Sequence, residues 1–309
     1  MAIQLSTATT THETSTINRA ESTPHVPRVY GRLRLRFEAR GDGKQTILAE
    51  CEQQLPLRIV RAFQLDDGGS LVHLHNLSGG VLGGDHLDLA VEVGPSAVAQ
   101  VTSTGATRIY RSRKNAEPAQ QRLQIRVEED GLVEYLPDQL IPFAGSRYRQ
   151  ETRIELGANA GLFWWEIVSP GREAHNELFL YELLHLKTSI SVLGNPIALE
   201  HMRIEPAKRS MFSLARLGAY RYFSTFYICC VGVGSSRWLE LERLLGELAE
   251  QFSQPSRMVW GVSPLREHGV VVRALSVSGR EITRSLPDFW RVAKAFLYDR
   301  QAVLPRKVY

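Results

Sequence analysis

Apolar and polar residues alternate with a period of two along "YGRLRLRFEAR", where Leu33, Leu35 and Phe37 are interleaved with Arg32, Arg34 and Arg36. Successive side chains of a strand point to opposite faces, so this segment reads as a half-buried strand with its arginines on a solvated side. A functional basic ridge is the rival reading. The same rhythm returns at "LRIVRAFQL", "SLVHLHNL", "DHLDLAVEV", "SAVAQVTST", "QRLQIRVEE", "YRQETRIEL", "LFWWEIV" and "LFLYELLHLKTSISV", with Gly, Pro, Asp or Asn clusters between them. Strands this numerous, without helical crossovers, predict a mainly β molecule and argue against a doubly wound parallel sheet. Periodicity alone leaves a sandwich, a barrel and a β-helix-like stack open.

Two late segments change to a helical period. In "SRWLELERLLGELAEQF", Trp238, Leu241, Leu245, Leu248 and Phe252 fall on one stripe, which predicts a helix near 237–252 with Ser236 as its cap. In "SLPDFWRVAKAFLYD", Phe289, Val292, Ala293 and Phe296 form the stripe of a helix near 286–299. Ser285 and Asp288 make a variant capping box there, with Pro287 early in the first turn. Such stripes pack on the protein's own core; docking to a partner is the rival reading, chiefly for the terminal helix. Residues 1–28 are Ser/Thr-rich with hardly any large apolar side chain, which predicts a disordered tail ahead of a single β-rich domain over 29–309.

Composition narrows the class. With 43% hydrophobic and 23% charged residues in 309, the chain is an ordinary globular one. No window approaches the ~18 to 20 apolar residues that span a bilayer, and the N-terminus lacks the apolar core of a secretion signal. A cytoplasmic protein without a membrane partner is therefore expected. The net charge of +4 is spread out rather than gathered, so no nucleic-acid partner is indicated. Cys51 lies far from the adjacent Cys229 and Cys230, and an odd count forms no disulfide framework, so all three are expected reduced and mostly buried.

The stretch "HNLSGGVLGGDHLDLAV" sets Gly79, Gly80, Gly83 and Gly84 ahead of Asp85. A dinucleotide fingerprint needs G-x-G-x-x-G between a strand and a helix; here the spacing is G-G-x-x-G-G and a strand pattern follows. There is no G-x-S-x-G elbow, no H-E-x-x-H pair and no clear Ser, His and Asp grouping, so no enzyme is expected. His73 and His75, two apart on a strand, are a weak metal signal, with two incidental surface histidines as the rival reading. The glycines read as a sheet corner that needs positive φ and close backbone approach. Asp85 is then a turn residue or a buried carboxylate with a purpose.

The block "LSGGVLGGDHLDLAVEVGPSAVAQVTSTGATRIYRS" is followed in order by "VEYLPDQLIPFAGSRYRQETRIEL", "FWWEIVSPGREAHNELF" and "YFSTFYICC". Together they resemble the urease accessory protein family UreD, called UreH in some organisms, from about Tyr30 to the C-terminus. Members of that family often carry Thr-Thr-Gln and a lysine where this chain has Thr102, Ser103, Thr104 and Arg108, and Gly-Glu where it has Asn176 and Glu177. Asparagine tolerates the left-handed backbone a glycine would adopt, so that turn is expected to survive.

The resemblance implies a β-helical stack of many short strands with a small C-terminal helical component. It implies a non-enzymatic role in urease maturation: a scaffold and conduit for nickel insertion, with nickel in transit and no tightly bound cofactor. The implied partners are UreF, the GTPase UreG recruited through UreF, and the urease apoprotein. GTP hydrolysis would belong to the partner, which fits the absence of a P-loop here.

A conduit for Ni²⁺ has to attract the ion yet hold it loosely, so spaced carboxylates and hydroxyls serve better than a thiolate cage. The matching blocks supply Asp85, Thr102, Ser103, Glu134, Asp138, Glu166 and Glu173 as such groups. Glu166 interrupts a strongly apolar strand, where a carboxylate needs a cation, hydrogen bonds or water. The bland alternative is that these acids pair with Arg108, Arg111, Arg147 or Arg172 and hold corners together. A different class of function is a β-rich module for carbohydrate or nucleic acid, presenting Arg32, Arg34, Arg36 and Trp164 or Trp165.

Overall fold

The computed structural model describes residues 28–41 and 45–304, so the tail expected over 1–28 lies outside the described residues but for Arg28. Strands β1 (Tyr30–Arg40), β2 (Gln45–Gln54), β3 (Leu57–Arg58), β4 (Ala62–Gln64), β5 (Ser70–Asn76), β6 (His86–Val93), β7 (Val98–Ser103), β8 (Thr107–Ile109) and β9 (Ala119–Val127) come first. They are followed by β10 (Leu132–Tyr135), β11 (Leu140–Pro142), β12 (Arg147–Leu156), β13 (Gly161–Val168), β14 (Leu183–Val192), β15 (Asn195–Ile204) and β16 (Tyr222–Cys230). Helix α1 (Ser235–Phe252), strands β17 (Met258–Pro264) and β18 (Gly269–Ser276), and helix α2 (Gly279–Tyr298) complete the chain.

These strands form two sheets. One has seven strands in the order β15-β14-β12-β9-β6-β1-β2; the other has eleven, with β17-β18-β16-β13-β10-β7-β5-β3 as its main path. From β5 to β14 the long strands fall on the two sheets in turn. On the first sheet β1, β6, β9, β12 and β14 pair in parallel; on the second β5, β7, β10 and β13 do the same. Antiparallel pairs extend both sheets, β1 with β2 and β14 with β15 on the first, and β13 through β16 and β18 to β17 on the second.

The alternation read from the chain follows directly from this layering. Leu33, Leu35 and Phe37 are buried between the sheets, and Arg32, Arg34 and Arg36 line the outer face of the seven-stranded sheet. Strand β13 has no solvent face, because the first sheet covers one side and the helices the other, so it reads as a near-continuous apolar run. Its Trp164 and Trp165 are both buried, which removes them from any carbohydrate or nucleic-acid surface. Cys229 and Cys230 do point to opposite faces, one into the inter-sheet core and one toward the helices. Cys51, by contrast, is exposed: it sits on β2, an edge strand that little else covers.

Several boundaries differ from expectation. Helix α2 begins at Gly279, about two turns before 286, and encloses Pro287. Its buried stripe runs upstream through Ile282 and Leu286, and that burial outweighs the single hydrogen bond a proline forgoes. Helix α1 is preceded by Gly234 rather than capped by Ser236. "LRIVRAFQL" divides into β3 and β4, and Ile59 between them is anchored by the Gln53 side chain, its N–H donating to Oε1 at 3.1 Å. The strand expected from Leu178 starts only at Leu183, because Phe179 takes a left-handed turn with φ 55°. Among the described residues no helix is long and apolar enough to cross a membrane.

Candidate functional site

Alternation along β13 decides where Glu166 points. Phe163, Trp165 and Ile167 pack toward the helices, so Trp164 and Glu166 face the seven-stranded sheet. There the Gln150 amide on β12 donates to Glu166 Oε1 at 2.6 Å, and the Tyr148 hydroxyl donates to Gln150 Oε1 at 3.0 Å. Beside them, Glu200 on β15 accepts from the Tyr227 hydroxyl at 2.7 Å and lies 3.7 Å from the Arg273 guanidinium. A polar seam thus divides the inter-sheet interior, with one apolar cluster around Leu33, Val91 and Ile154 and another around Leu87, Tyr148 and Leu184.

The seam is electrostatically unfinished. Burial pushes the Glu166 carboxyl up to about 7; the Gln150 hydrogen bond opposes that rise and the negative Glu200 adds to it. The hydroxyls of Tyr135 and Tyr148 are pushed up as well, first by burial and then by the Glu166 charge. Glu166, Glu200, Thr188 and Thr225 line a void of about 10 Å³, room for about one water. Glu200 and Thr225 also line an open groove of about 630 Å³, and Tyr135 lines a corner cavity of about 290 Å³ between the sheets.

The glycine stretch frames that corner cavity. Gly79 and Gly80 line it, with Gly79 at φ 73°, and a Cβ on Gly80 would sit 2.7 Å from the Arg108 carbonyl oxygen. Asp85 is buried, and its Oδ2 accepts from the Leu82 N–H at 2.8 Å, so it ties the corner itself. His75 lines the cavity, while His73 packs edge-on against Phe63 with ring centroids 5.6 Å apart.

The remaining candidates scatter. Ser103 lines the corner cavity and accepts from the Asp138 N–H at 2.7 Å, which brings two of the seven together. Thr102 is spent on the Leu136 carbonyl at 2.7 Å. Glu173 pairs with Arg221 at 2.5 Å and accepts from the Tyr222 hydroxyl at 2.8 Å. Glu134 points to the helix side, where it meets the Lys294 ammonium at 2.9 Å and accepts from the Gln100 amide at 2.9 Å. Lys294 reaches Asp67 too, at 3.1 Å. The partners of Glu134 and Glu173 are therefore not the arginines expected for them; Arg172 pairs with Glu177 instead. Asn176 does adopt the left-handed turn, at φ 58°.

Glu200, Gln150, Tyr148, Tyr227 and Lys294 lie outside the residues that the sequence pattern singles out. Lys294 carries a readable sign, since it stands four residues after Trp290 on the helix's buried face. Glu200 offered none, because β15 is a largely exposed edge strand with no clean alternation of apolar and polar residues, so its inner face is not marked. Among the described residues no group of three or more His, Cys, Asp and Glu is placed to hold a metal ion.

A family model described as UreD urease accessory protein matches residues 29–309. The chain belongs to the UreD family. Urease accessory protein UreD of Herpetosiphon aurantiacus is 43% identical over 289 residues, spanning 94% of this chain and 100% of that relative. UreD of Halalkalibacterium halodurans is 29% identical over 277 residues, 88% of this chain and 96% of its own. UreD of Cenarchaeum symbiosum is 36% identical over 200 residues, 63% and 69% respectively.

Proposed function

We propose that this chain serves urease maturation as a non-catalytic scaffold and nickel conduit, working in the cytoplasm with UreF and, through UreF, the GTPase UreG on apo-urease. Membership of the UreD family supports the role in urease maturation. The observation that carries the conduit is Glu166, a carboxylate held between two sheets by an amide rather than a cation, beside Glu200 and a void of about 10 Å³. Oxygen donors of this kind attract a hydrated divalent ion without trapping it. Because Glu200 and Thr225 border both the void and the open groove, an ion would reach the seam from the groove side. The void is too narrow for a hydrated ion, so passage requires the sheets to part at Glu166. In the same reading, the strands that alternate between parallel sheets are the coils of a short β-helical stack.

Co-expression of the urease operon with Glu166→Gln or Glu200→Gln tests the reading. The expected result is urease with several-fold less nickel while UreF still co-purifies. Unchanged nickel content in both variants would overturn the conduit, and loss of soluble protein in both would make the seam structural.

A further inference from the structure

The outer face of the seven-stranded sheet holds a second arrangement of ligand-type side chains, independent of the seam. His185 on β14 stands opposite Arg203, and His201 on β15 opposite Lys187, so the two histidines are diagonal neighbours on one face. Their Nε2 atoms are 2.5 Å apart, with ring centroids at 4.7 Å and planes inclined by 38°. That approach is closer than the roughly 2.7 to 3.2 Å of an ordinary N–H hydrogen bond, and at most one of the two nitrogens carries a proton in it.

Two imidazole nitrogens aimed at one point from neighbouring strands are the core of a chelate. At metal–nitrogen distances of about 2.0 to 2.1 Å, adjacent ligand nitrogens stand about 3 Å apart, so the rings need separate by only about half an ångström. The ten-residue ladder of β14 and β15 holds both Cα positions, which leaves side-chain rotation to supply that adjustment. We propose that His185 and His201 form a two-imidazole clamp for a first-row divalent transition ion of the copper, nickel and zinc class.

The surroundings set its character. Arg149, opposite His185 on β12, and Lys187 and Arg203 surround the pair with positive charge. They weaken the hold on a bare cation and favour an anion among the remaining ligands. Glu151 supplies no third protein ligand, because Arg153 engages its carboxylate at 2.7 and 3.1 Å. With only two protein ligands and the rest of the shell open, the site exchanges its ion readily, and hard Mg²⁺, which prefers oxygen, is excluded.

Titration of the full chain with Cu²⁺, Ni²⁺ and Mg²⁺ tests this, with His185→Gln and His201→Gln as separate variants and circular dichroism to confirm that each is folded. Wild type is expected to take up one more equivalent of Cu²⁺ and Ni²⁺ than either variant. Its copper electron paramagnetic resonance spectrum shows nitrogen ligation that is lost in both variants, and Mg²⁺ does not compete. His86→Gln, which removes a histidine of β6 outside the pair, should titrate like wild type, which ties the extra equivalent to His185 and His201. Equal stoichiometry and affinity in wild type and both histidine variants would overturn the clamp.

Discussion

Two glutamates, one fully buried and one half-buried, stand on neighbouring strands of the same sheet and meet opposite fates. Glu134 on β10 faces the helices, has no exposed surface, and is met by the Lys294 ammonium, the Gln100 amide and the Trp290 indole N–H at 3.3 Å. Glu166 on β13 faces the other sheet and meets one amide, a second carboxylate nearby and a void. Burial raises both acids; Lys294 works against that for Glu134, whereas for Glu166 the opposing group is the neutral Gln150 amide. A carboxylate closed off by a buried ammonium is a structural pin. One left with an amide in a half-wet seam keeps its appetite for positive charge, which is what a transit site requires.

That contrast breaks most visibly at the pin. Lys294→Met leaves Glu134 and Asp67 without their cation and should cost about 3 to 5 kcal/mol of stability, read by denaturant unfolding. Pairing it with Glu134→Gln should restore part of the loss, and a single-variant cost under about 1 kcal/mol would erase the distinction between the two acids.

Next in size is the pH dependence at Glu166. Its folded-state pKa of about 7 lies above the ordinary 4.5, so ionisation costs stability. The contribution is intact below about 4.5 and is lost as pH rises toward and through 7. Glu166→Gln lacks that slope and should be more stable than wild type by about 1 to 3 kcal/mol at pH 8, with the gap closing at pH 4.5. A gap independent of pH would show that Glu166 already has a counter-charge.

Asp85→Ala should cost about 1 kcal/mol by freeing the Leu82 N–H, with no effect on urease nickel content, because Asp85 is spent on the corner. Smallest of all, Asn176→Gly should change thermal stability by no more than a few tenths of a kcal/mol, since either residue accepts the left-handed turn at φ 58°.

Much of the β architecture was legible because strand periodicity is local. Leu33, Leu35 and Phe37 declare an inner face by their own spacing, and Cys229 and Cys230 must part because neighbours on a strand always do. The start of α2 was misplaced because Ser285 and Pro287 imitate a helix opening, while the burial of Ile282 that extends it depends on a distant sheet. Among the candidate acids, Glu166 was conspicuous as the charged residue in an apolar strand. Its neighbour Glu200 was not, since it reaches the seam from an exposed edge strand.

The chain's own letters settled the strand-rich class, the two helical stripes, the glycine corner and the family, for these rest on spacing and on residue order. Which buried glutamate has a cation was settled only by folding. Lys294 meets Asp67 across 227 positions and Glu134 on the helix-facing side of β10, and a charge's stability depends on whatever stands within a few ångströms, however far away along the chain.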